Sequence, residues 1–167
     1  MIGYGNTLRG DDGAGYRLAE RVADWGLGGV TAWPCHQLTP DLAADLARVD
    51  RVIFADASLP QNPVSPLRLE RMQGNLNSPG VMGHHSQPGQ VLTLGQQLYG
   101  CQPIAYTLTL PAQQMDYGEQ LSPWARAGLL QAERLLWQFL NRPERPGASP
   151  PTSGGEPPPL RRFPNGC

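Results

Sequence analysis

Met1-Ile2-Gly3-Tyr4-Gly5-Asn6-Thr7-Leu8-Arg9-Gly10-Asp11-Asp12-Gly13-Ala14-Gly15 is the stretch on which the reading of this chain turns. A short apolar strand end runs into glycines, then a loop, then two adjacent carboxylates, and an amphipathic helix follows at once. The glycines let the backbone turn tightly and approach another group closely. Asp12 suits the first turn of the helix, as a cap or an early acidic residue. That leaves Asp11 facing outward from the loop. In an open α/β sheet a strand-to-helix loop of this kind lies at the carboxyl edge, where ligands bind.

Three readings compete for the stretch. It is a glycine-rich turn with a carboxylate cap, a dinucleotide fingerprint, or an acidic site that meets a metal. The fingerprint fails on spacing, because Leu8 stands where its third glycine belongs. The next strand also ends in Cys35-His36, with no acid for a ribose. The metal reading needs partners from elsewhere in the chain.

Outward from this stretch, strands and helices alternate. Gly15, Leu18, Ala19 and Val22 recur at helical spacing, and Gly26 suits the helix end. Val30 to Trp33 reads as a strand stopped at Pro34. Thr39-Pro40-Asp41 starts a helix with a hydroxyl cap, a proline and an acid in the first turn; Leu42, Leu46 and Val49 supply its buried stripe. Arg51 to Asp56 is a near-continuous apolar run, as expected of a parallel strand buried on both faces, and it ends in an acid. Leu67 to Met72 alternates like a half-exposed strand. Gln73 to Gln90 is a polar loop carrying His84-His85. Val91 to Tyr99 is a helix closed by Gly100, Ile104 to Leu110 a strand, and Ser122-Pro123 opens a last helix running to Asn141. The expected fold is α/β: a three-layer α/β/α sandwich around a mostly parallel twisted sheet of about five strands. The first strand is short for a central one, and a few further apolar residues are expected upstream. Residues 1–141 form one domain. Residues 142–167 form a tail with eight prolines, four glycines and almost no apolar side chains, a composition that cannot offset ordering entropy and predicts disorder.

Composition narrows the function. The chain has 167 residues, enough for one domain with a real core. A net charge of −1 leaves no electrostatic footprint for nucleic acid. Cys35, Cys101 and Cys167 are few and far apart, which argues for a reducing compartment over a disulfide framework. No apolar run approaches the roughly 18 residues of a membrane span, and no signal peptide is evident. A soluble cytoplasmic monomer is expected.

Asp56 ends the third strand on the same edge as the Asp11-Asp12 loop, and the His84-His85 loop can reach that edge if the sheet is mostly parallel. Two carboxylates and an imidazole there make an N/O ligand set with open positions, suited to a late first-row ion. Each alone has an ordinary explanation: a strand-end Asp as a turn residue, a loop His as a solvated side chain. Their joint placement raises the functional reading.

The motifs Gly3 to Gly15, Val52-Ile53-Phe54-Ala55-Asp56-Ala57, and His84 eight residues before Leu92 resemble those of the nickel-iron hydrogenase maturation proteases, over residues 1 to about 141. The resemblance implies an α/β/α endopeptidase that removes a C-terminal extension from the hydrogenase large-subunit precursor after nickel insertion. It also implies that Asp12, Asp56 and His84 are the catalytic and metal-contacting residues, with Asp11 and His85 as runners-up. The nickel would come with the substrate rather than sit tightly in the enzyme, and the precursor would be the partner. Where many members carry Asp-Gly-Gly-Thr after the second strand, this chain has Cys35-His36-Gln37-Leu38-Thr39-Pro40. That variant resembles the branch serving the bidirectional NAD(P)-linked hydrogenase and implies substrate recognition by His36, Gln37 and Leu38; packing or capping by His36 is the plainer alternative.

Two other functions compete. A phospho-acceptor receiver domain shares paired acids and a strand-end Asp but needs a lysine after the fifth strand, and the 13 basic residues here are all arginine. A non-proteolytic chaperone for the nickel-loaded large subunit is harder to separate, because no Ser/His/Asp or Cys/His nucleophile stands out.

Overall fold

The computed structural model describes residues 1–59, 67–72 and 87–141. Among the described residues, five strands form a single sheet: β1 (Ile2–Tyr4), β2 (Trp33–Cys35), β3 (Arg51–Ser58), β4 (Arg68–Arg71) and β5 (Ile104–Pro111). Their order is β2-β1-β3-β5-β4. All neighbours are parallel except β4, which runs antiparallel to β5 at the edge. Four helices cover it: α1 (Ala14–Ala23), α2 (Leu42–Leu46), α3 (Gln87–Tyr99) and α4 (Pro123–Leu140). The expected three-layer, mostly parallel architecture is the observed one.

The layers follow from strand periodicity, which sends successive side chains to opposite faces. Ile53, Ala55 and Ala57 of β3 join Leu108 and Leu110 of β5 in a core with Leu18, Ala19 and Val22 of α1 and Leu129, Ala132 and Leu136 of α4. Val52 and Phe54 turn the other way, into a core with Leu42 and Leu46 of α2 and Val91 and Leu92 of α3. Burial on both faces explains why the β3 sequence is an unbroken apolar run.

Several element bounds differ from those read in the sequence. The second strand is Trp33–Cys35 rather than Val30 to Trp33, so Pro34 lies inside it. A proline lacks the N–H of a full ladder, but β2 is an edge strand and tolerates it. The turn at Thr39 is present, as Leu42 N donates to the Thr39 carbonyl, yet α2 itself starts at Leu42 and has no side-chain cap. Its stripe is Leu42, Ala43 and Leu46, with Val49 only half-buried. α3 begins four residues before Val91, at Gln87, and places Pro88 in its first turn, where no N–H is needed. β3 runs two residues past Asp56. The last helix is as read: Ser122 Oγ accepts from Ala125 N, Pro123 follows, and Asn141 closes it. The tail, 142–167, lies outside the described residues.

Candidate active site

The site is built where β1 and β3 end. Gly5 leaves β1 with φ +137°, a conformation that L side chains rarely adopt, and a Cβ there would overlap the Asp12 carbonyl. The chain then loops through Asn6 to Arg9 into a short 3-10 turn, Gly10–Gly13, before α1. A glycine at position 5 is what lets the strand exit lie against the turn that carries both acids.

The two acids have opposite roles. Asp11, expected to face outward, has no exposed surface. Its Oδ2 accepts from Gln113 N at 2.7 Å, Gln114 N at 3.0 Å and Ser122 Oγ at 2.7 Å, and its Oδ1 from Ser122 N at 2.6 Å. Burial pushes its carboxyl pKa up, but the bonds from Gln113, Ser122 and Gln114 outweigh that, and the net shift is below the ordinary 3.8. Asp11 therefore fastens the loop after β5, and the cap of α4, to the turn before α1. Sequence alone misjudged it because its partners lie about a hundred residues away.

Asp12 is half-exposed and does not cap α1, whose cap position is Gly13 with no side-chain bond. Its Oδ2 instead accepts from Asn6 N at 2.8 Å, which tightens the loop and holds the carboxylate at the edge of the sheet.

Asp56 shares a sheet face with Phe54, the face covered by α2 and α3. Its Oδ1 accepts from Ala57 N at 2.8 Å, and the Tyr4 hydroxyl donates to its carboxyl. The pairing of Gly3 with Ala55 sets Tyr4 and Asp56 next in register. Burial raises the Asp56 pKa to about 6; the bonds from Tyr4 and Ala57 oppose that rise, and the Asp12 charge adds to it. Burial, together with the Asp56 charge, also pushes the Tyr4 phenol far up, so it stays a donor. Asp12 and Asp56 thus come together, as two carboxylates whose mutual repulsion a cation would relieve. Tyr4 was missed as a site residue; its proximity is legible only once the β1–β3 register is known.

His36 follows β2 and is exposed, its ring stacked on Tyr16 of α1 at 5.2 Å and 21°. Tyr16 is one helical turn beyond Asp12, so His36 flanks the acids without joining them. Gln37 is exposed and Leu38 half-buried against the α2/α3 core. His84 and His85 lie outside the described residues. Among the described residues no three of His, Cys, Asp and Glu are grouped to hold a metal ion, and no helix is long and apolar enough to cross a membrane.

An open, mostly parallel sheet with two acids at its carboxyl edge defines a class of α/β protein, and comparison narrows it. No protein-family profile and no curated sequence matches the chain. Solved structures do. The [NiFe] hydrogenase maturation protease HybD from Thermococcus kodakarensis is 21% identical with a TM-score of 0.58, covering 77% of this chain and 88% of that one. The hydrogenase 2 maturation peptidase of a Thaumarchaeota archaeon is 20% identical with a TM-score of 0.61, covering 84% and 95%. The maturating endopeptidase HybD from E. coli is 20% identical with a TM-score of 0.55, covering 83% and 91%. The fold is that of the hydrogenase maturation proteases.

Proposed function

We propose that this protein is an endopeptidase of nickel-iron hydrogenase maturation, which removes the C-terminal extension of the large-subunit precursor once nickel is in place. The observation that carries the reading is the convergence of Asp12 and Asp56 at the carboxyl edge of a sheet with this fold. Nickel arrives as part of the substrate and supplies positive charge that polarises the scissile carbonyl or acidifies an attacking water. Asp12 and Asp56 offer oxygens to that ion. Asp56, with its pKa near 6, is also suited to accept a proton near neutral pH. Tyr4 holds the Asp56 carboxyl in place through its hydroxyl.

The third ligand in this reading is His84. Support comes from the helix that follows it. α3 ends at Tyr99, five residues before β5 begins at the amino edge, so its first turn is directed toward the carboxyl edge, on the face that Asp56 shares. His84 is three residues before Gln87, within about 10 Å of it at full extension. His36, Gln37 and Leu38, on the other flank of Asp12, are assigned to recognising the precursor, and a precursor of the NAD(P)-linked branch is the proposed partner.

The test is a processing assay with nickel-loaded precursor, reading the shortened product by mass. His84→Gln is expected to abolish cutting while the melting temperature holds, and His85→Gln to weaken it less. Binding of the precursor without any cutting by wild type would favour the chaperone reading. Loss of cutting in His85→Gln alone would move the ligand by one residue.

A further inference from the structure

We propose that Leu8, Tyr117 and Trp124, with Arg9, Arg17 and Arg126, form a docking rim for an acidic segment of the polypeptide substrate anchored by apolar side chains. This rests on the endopeptidase reading above and names a surface that the acids do not use. Leu8 follows β1, Tyr117 lies in the loop between β5 and α4, and Trp124 opens α4, so all three belong to the edge that carries Asp12. They are 45%, 90% and 51% exposed. Aromatic side chains so exposed beside a site are the usual anchors of an interface.

The surface is also pre-built. Gly10 N donates to the Gly118 carbonyl at 2.6 Å, Gly118 N to the Leu8 carbonyl at 2.9 Å, and Asp11 clamps both ends of the 113–122 loop. A rim already ordered loses little entropy on binding. Its charge points to the occupant. Three guanidiniums from three different elements each donate to a carbonyl of this one loop: Arg9 to Met115 at 3.3 Å, Arg17 to Glu119 at 2.6 Å and Arg126 to Leu121 at 3.4 Å. None has a carboxylate partner among the described residues. A guanidinium has five N–H donors, so each keeps capacity for an incoming carboxylate. The loop's own exposed acids, Asp116 and Glu119, are outnumbered by the three arginines.

The experiment uses the full chain and nickel-loaded large-subunit precursor. Binding is measured with Asp56→Asn as background, and KM and kcat with the otherwise native protein. Trp124→Ala with Tyr117→Ala is expected to weaken binding and raise KM by about tenfold or more with kcat kept. Arg126→Glu is expected to act likewise and to flatten the rise of KM with salt. Melting temperatures separate these effects from misfolding, and Leu130→Ala, an exposed leucine farther along α4, controls for surface truncation. Cutting with KM unchanged in the rim variants overturns the rim and leaves the endopeptidase reading standing. Rim-dependent binding without cutting supports the rim and removes the reading. Failure of the precursor to bind either form overturns the occupant. A concentration-dependent dimer of the free protein that Trp124→Ala dissolves assigns the rim to a second copy and also overturns it.

Discussion

Two aspartates at the site respond to pH with opposite signs. Asp56 has its folded-state pKa raised from 3.8 to about 6, chiefly by burial. Folding therefore favours its protonated form. That stability is fully present below pH about 4 and is lost as the pH rises through about 6. Each unit is worth about 1.4 kcal/mol, so the loss is of the order of 2–3 kcal/mol. Asp56→Asn keeps the shape and removes the charge. In metal-free protein it is expected to raise the melting temperature by several degrees at pH 8, to match wild type near pH 4, and to remove cutting. Equal melting at pH 8 would contradict the burial account. Asp11 is shifted the other way, below 3.8. Its contribution is present above that value and is lost as the pH falls through its lowered folded-state pKa. Asp11→Ala leaves the Gln113, Gln114 and Ser122 amides without their acceptor and is expected to cost about 3–5 kcal/mol, read as a lower urea midpoint at pH 7. The adjacent acids were legible in the sequence as a pair, but their division into one half-exposed carboxylate at the sheet edge and one buried clamp was not. That division depends on the 113–122 loop, whose approach no local pattern encodes.

At the scale of elements, the position of Asp12 depends on how closely α1 crosses the sheet. A Cβ on Gly15 would meet the Ala55 and Tyr4 carbonyls, both backbone atoms that cannot swing aside. Gly15→Ala is expected to push α1 off β1 and β3, with a loss of about 1–3 kcal/mol. It should also lower cutting more than an equally destabilising core change such as Leu136→Ala brought to the same melting temperature. Stability falling with no added loss of cutting would show that the crossing does not set the site. The helices and strands with strong periodicity or a full cap (α1, β3, β5 and α4) were legible because their signals are local. β2 was misplaced by three residues because it is short and at an edge: its register is fixed by pairing Ile2 with Trp33, and its own sequence contains a proline that reads as a stop. The start of α3 was hidden for a related reason, since Pro88 and Gly89 look like loop until they are seen as the first turn of a helix.

At the scale of the whole molecule, the two acids stand where parallel strands end. β1 and β3 are neighbours in the sheet although some fifty residues separate them, and that adjacency brings Asp12 and Asp56 together. Tyr4 and Asn6 hold one carboxylate each, and the two acids repel one another, a repulsion that a cation on the substrate would relieve. The Gly3-to-Gly15 motif and the Asp56 strand made this convergence legible, while the partners of each carboxylate came only with the fold. Whether the metal is part of what is recognised is tested most directly by cutting of one precursor preparation, split into nickel-loaded and metal-free halves, by wild-type protein and by Asp12→Asn. The expected result is a shortened product from the nickel-loaded half with wild type alone, and none from the metal-free half or from Asp12→Asn. Equal cutting of the two halves would contradict the account.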